Sequence, residues 1–213
     1  MRFDQQVYQK AQRHAYNTLK TPEKFGLPNL FKVSPKSITA PAHLIQELAW
    51  QNTVSTYNFQ FGSNAPNPVI ATFPQLNNVL LGENDVYAIY GIELCFGFSS
   101  VPLPSAGSIV GRVYSSRGNV PADYSLYTGL LNISIESDNP IQNISTKEFL
   151  ETGNALQYDM QQGQGFMILN PQRIITGRIS KFQVQINLQA INSLTLSGNA
   201  VVSCRLHGAL GLA

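Results

Sequence analysis

From Lys181 to Leu188 every second residue is apolar: Phe182, Val184, Ile186 and Leu188 alternate with Lys181, Gln183, Gln185 and Asn187. A period of two suits a strand buried on one face and cannot be gathered onto one side of a helix. The same alternation puts Tyr57, Phe59 and Phe61 on one face of the segment 54–61. Residues 86–98 form a longer aromatic and β-branched run in which Gly91 and Gly97 mark bends or bulges. Further strands are expected at 109–114, 125–135, 164–170, 179–189 and 200–210, with a short one near 79–81. Loops such as 99–108 and 115–123 are rich in Gly, Pro and Ser, and no regular helices separate the strands. A parallel α/β fold needs crossover helices, so the pattern predicts an all-β, eight-stranded antiparallel jelly-roll sandwich.

The first 43 residues differ in character. Phe3, Val7, Ala11, Ala15 and Leu19 recur at intervals of about four, which predicts a helix over 2–20. Pro22, Pro28, Pro35 and Pro41 then exclude a continuous helix and favour an extended arm. Leu27, Leu30, Phe31, Val33 and Ile38 give that arm apolar anchors, and Trp50 is expected to pin its junction to the sandwich. The division is therefore 1–43, helix and arm, and 44–213, the β-sandwich domain. A chain lacking residues 1–40 is expected to fold but not to assemble. A turn or two of helix is expected at 146–151, capped by Thr146.

Charge follows the same division. Seven of the 14 basic residues (Arg2, Lys10, Arg13, Lys20, Lys24, Lys32 and Lys36) lie within the first 40 positions, against the acids Asp4 and Glu23. Such an arm suits nucleic acid, a membrane, an acidic partner or a neighbouring subunit, the plainer alternative being a solvated helix. Charged residues are only 12% of the chain, about half the usual share, and Asn and Gln take their place. A weakly charged polar surface suits faces covered by neighbouring copies. No apolar run reaches the ~18–20 residues that span a bilayer, and the polar start is unlike a signal peptide. A soluble protein is expected.

Catalytic and cofactor motifs are missing from the sequence. His14, His43 and His207 show no metal-ligand spacing, and Cys95 and Cys204 lie in strand-like sequence as free buried thiols. Glu83/Asp85 and Glu136/Asp138 flank turns, where such residues serve locally. No enzyme, metal or cofactor is expected. An enzyme would need a cluster formed only by folding, such as His43 beside His207 with a carboxylate. Tyr114, Tyr124 and Tyr127 suit a sugar platform or a subunit interface.

The basic helix over Arg2–Lys20, the prolines at 22, 28, 35 and 41, and the strand series from Val54 to Leu210 follow in that order. This layout resembles the single jelly-roll capsid proteins of small icosahedral viruses, including tailless bacteriophages. The resemblance implies a structural virion protein, assembled in the host cytoplasm, that packs with copies of itself into a shell. A second capsid protein and packaged nucleic acid are further partners it implies. The arm has fewer Arg and Lys than genome-packaging arms of that family, which favours an arm that staples subunits. The alternative is a carbohydrate-binding or adhesive β-sandwich, such as a viral attachment protein.

Overall fold

A computed structural model describes residues 5–51, 54–62, 70–73, 81–99, 112–114, 129–146, 166–179, 181–188 and 199–213. One α-helix, α1 (Gln5–Lys20), and a short 3-10 turn (Pro22–Phe25) precede the strands. The strands are β1 (Ser37–Ala49), β2 (Thr56–Gln60), β3 (Ile70–Phe73), β4 (Val86–Ser99), β5 (Arg112–Tyr114), β6 (Gly129–Ile135), β7 (Asp138–Ser145), β8 (Phe166–Thr176), β9 (Phe182–Leu188) and β10 (Asn199–Leu212). Two antiparallel sheets result. The larger runs β3-β1-β10-β4, and the far edge of β4 is shared by β8 and β5. The smaller runs β2-β9-β6-β7.

The alternation read from sequence decides which side chains meet between the sheets. Tyr57, Phe59, Leu131, Ile133, Val184 and Ile186 from the smaller sheet pack with Leu44, Tyr87, Ile89, Leu94, Cys204 and Leu206 from the larger. Trp50 stacks on Tyr57, with ring centroids 5.7 Å apart and planes 8° from parallel, and packs against this core. Cys204 is buried; the side chain of Cys95 lies outside the described residues.

A second core lies outside the sandwich. Tyr8, Ala15 and Leu19 of α1 pack on Val86, Ala88, Tyr90, Phe166 and Ala209, which face outward from the larger sheet. The helix thus lies against its own sandwich. Ala15 and Leu19 of the expected stripe are buried and Ala11 packs beside them, but Val7 is 43% exposed while its neighbour Tyr8 is buried. The helix is rolled so that the Tyr8 hydroxyl, rather than Val7, faces polar partners on the sheet.

The proline-rich stretch also resolves differently from an arm. Residues 37–43 belong to β1, in register with β10 from Ser37↔Leu212 to Ala49↔Val201. Pro41 is tolerated because the register breaks between Thr39 and Ala42. Leu30, Phe31 and Ile38 pack against the second core, Leu27 is half-buried, and Val33 is 51% exposed. Strands β1, β3 and β7 carry no expected alternation, so the described strands number ten rather than eight. The expected strand at 79–81 and the helical turn at 146–151 lie almost wholly outside the described residues; Thr146 itself is buried, its hydroxyl donating to the Gly129 carbonyl at 3.1 Å.

Candidate functional site

Two places concentrate polar chemistry. The first is beneath α1, and a register break between β4 and β10 helps to create it. Along β4, Tyr87 and Ile89 point into the sandwich, as do Ile92 and Leu94, so inward residues change from odd to even numbers. The extra residue is Tyr90, because Ile89 pairs with Gly208 and Gly91 with His207. This single break lies opposite the His207–Gly208 step of β10, whose inward residues stay even-numbered from Val202 to Leu210. Gly91 is required here, since a Cβ would run into the Phe166 ring. The break sets Tyr90 and Glu93 on the outer face beside Arg205 and His207 of β10, and β1 adds His43 opposite His207.

Beneath the helix the groups form a chain. The Tyr90 hydroxyl donates to the Tyr8 oxygen at 3.1 Å, and the Tyr8 oxygen lies 3.1 Å from His207 Nδ1. His207 Nε2 is 2.8 Å from Glu93 Oε2, which also accepts from Arg205 at 3.4 Å. With His207 neutral and protonated on Nε2, every link runs donor to acceptor, from Tyr90 through Tyr8 and His207 to the Glu93 carboxylate. Burial pushes the Tyr8 and Tyr90 phenols up, so both keep their protons as donors. The His43 ring sits 4.4 Å from that of His207. Burial first, then His207 and Arg205, bring the His43 pKa down to about 3, so it stays neutral. Its Nε2 is buried with no hydrogen-bond partner among the described residues.

Folding therefore joins the two histidines and a carboxylate, the grouping an enzyme on this scaffold would need. Chemically the chain can hold or pass a proton. Glu93 and His207 are each only 4% exposed, however, and α1 covers them. In this arrangement they fasten helix to sheet through Tyr8. The sequence signal for the cluster is Glu93, an acid inside the apolar run 86–98; nothing local marks Tyr8 as its partner.

The second place is the outer face of the smaller sheet. Register aligns Thr56, Asn187 and Leu130 in one row, Asn58, Gln185 and Asn132 in the next, and Gln60, Gln183 and Ser134 in the third. None of the nine is charged. Asn58 Oδ1 accepts from both Gln183 and Gln185 at 2.9 Å, Gln185 Oε1 accepts from Asn187 at 3.2 Å, and Asn187 Oδ1 accepts from Thr56 at 2.9 Å. The lattice continues to β7, where the Asn143 amide N–H donates to Asn132 Oδ1 at 2.8 Å.

The basic residues singled out from sequence do not converge. Lys10, Arg13 and Lys20 are exposed along α1, Lys24, Lys32 and Lys36 are exposed on the following segment, and Arg2 lies outside the described residues. Tyr124 and Tyr127 also lie outside them, as does the side chain of Tyr114. No group of three or more potential metal ligands occurs among the described residues. No helix among them is long and apolar enough to cross a membrane. Comparison with family models, with curated proteins and with solved structures gave no match.

Proposed function

We propose that this chain is a structural shell subunit, a jelly-roll capsid protein that assembles with copies of itself and is not an enzyme. One observation carries the proposal: the uncharged lattice on the outer face of the smaller sheet. Packed copies bring like surfaces close, and like charges facing each other across such a contact repel. Amides and hydroxyls donate and accept alike, so a face built from them pairs with another protein surface without a charge match. The exposed bases of α1 and of residues 24–36 then serve contacts with a second shell protein or packaged nucleic acid. The virion is the corresponding location.

A second reading rests on the same lattice, because Asn and Gln amides also suit the hydroxyls of a glycan. A carbohydrate-binding module would work as a monomer. Light scattering at low and high salt, with negative-stain imaging of the same full-length sample, separates the two. Closed megadalton particles are expected. A 23 kDa monomer at high concentration would overturn the shell reading and move the question to glycan arrays.

A further inference from the structure

Rolling α1 onto Tyr8 leaves a groove on its other side. Val7, Lys10, Ala11 and His14, spaced i, i+3, i+4 and i+7, line one wall; Ile168 and Gln172 of β8 line the other, with Tyr90 between them. Its volume is about 460 Å³, within the ~300–1,000 Å³ usual for small-ligand sites. At one end the Gln172 side-chain amide donates to Thr18 Oγ1 at 2.6 Å and ties helix to strand. Val7 contributes an apolar side chain 43% exposed.

We infer that this groove holds a single-chain lipid with an anionic head, a free long-chain carboxylate, its chain along Val7, Ala11 and Ile168 and its head at Lys10. Charge complementarity selects the head. Helix α1 carries Lys10, Arg13 and Lys20 and no acid over its 16 residues, and Lys10 has no ion-pair partner among the described residues. The walls select the chain. Tyr90 is only 1% exposed, so it offers no open ring for a base or sugar to stack on. The described lining has neither an arginine fork for a phosphodiester nor a carboxylate for an amine. What remains is a trough with Val7, Ala11 and Ile168 along it, the polar side chains of His14 and Gln172, and one lysine, Lys10; a lysine stem itself lies well along apolar surface. The inference goes beyond the shell proposal and does not depend on it, since the groove is built within one chain.

The test is calorimetric titration of the full-length protein with palmitate. Dodecyltrimethylammonium serves as the cationic counterpart and phosphatidylglycerol vesicles as a membrane control. The expected result is saturable binding of one palmitate per chain, with the cationic amphiphile at least tenfold weaker. Ala11→Trp fills the groove and should weaken palmitate at least tenfold; Lys10→Glu should weaken it and strengthen the cationic amphiphile. Circular dichroism establishes that each variant is folded, and Val7→Trp, at an exposed position, replaces Ala11→Trp if that variant is not. Absence of saturable palmitate binding overturns the inference. So do equal binding of both head charges, undiminished binding by the folded Trp variant, and binding to vesicles without binding to palmitate.

Discussion

Tyr8 shows how much one hydroxyl can decide. It accepts from Tyr90 and reaches His207 Nδ1, and these contacts turn α1 so that Tyr8 rather than Val7 is buried. Tyr8→Phe keeps the ring but leaves buried polar groups short of a partner, which costs about 1–3 kcal/mol; urea denaturation should show the loss. Glu93→Gln removes the charge that faces Arg205 and His207, so the same denaturation should show a loss of stability. His43 sets a pH dependence. Its folded pKa of about 3 lies below the ordinary 6.5, so between these values the unfolded chain binds the proton and the folded chain does not. Stability conferred by this site therefore falls as pH drops from about 6.5 towards 3, by at most about 1.4 kcal/mol per unit. Replacing it, as His43→Leu, should flatten that part of the profile of urea midpoint against pH; an unchanged slope would assign the acid sensitivity elsewhere.

Among the elements, α1 is the one whose role changes most between sequence and structure. Four-residue spacing predicts the helix, and Gln5–Lys20 is helical. The expected stripe holds at Ala15 and Leu19 and departs from the structure at Val7, where the adjacent Tyr8 is buried instead. Helix α1 covers Val86, Ala88, Phe166 and Ala209, so removing residues 1–40 uncovers apolar surface and also deletes the start of β1. Such a chain should aggregate or melt well below the intact protein, contrary to the independence expected of an arm. Leu19→Ala, at a residue 1% exposed, should cost about 2–5 kcal/mol and hasten proteolysis near residues 21–36. Strands β1 and β7 escape notice for related reasons. Pro41 interrupts β1 at a register break, and β7 is an edge strand whose residues are mostly exposed, so neither needs strict alternation.

For the whole molecule, the lattice on the smaller sheet is the surface on which the shell proposal stands. Gln185 is the middle residue of its middle row. Gln185→Lys sets a charge there without touching the core. Particles are expected to fail or to become strongly salt-dependent, while the melting temperature of the subunit shifts little. Particles that form unchanged would place the subunit contacts on another face.

Which residues alternate inward, and that uncharged amides fill the outward positions of β9, follow from sequence alone, because side-chain direction in a strand is a local property repeated every two residues. The existence of α1 is equally local. Only the tertiary structure could decide that Tyr8, His43, Glu93, Arg205 and His207 share one place. Their meeting depends on one break in pairing, where Tyr90–Gly91 of β4 lies opposite His207–Gly208 of β10, that reverses the parity of β4. It depends also on a helix docked from the far end of the chain. Register and docking arise between segments nearly 200 residues apart, such as Tyr8 and His207, and no local pattern encodes them.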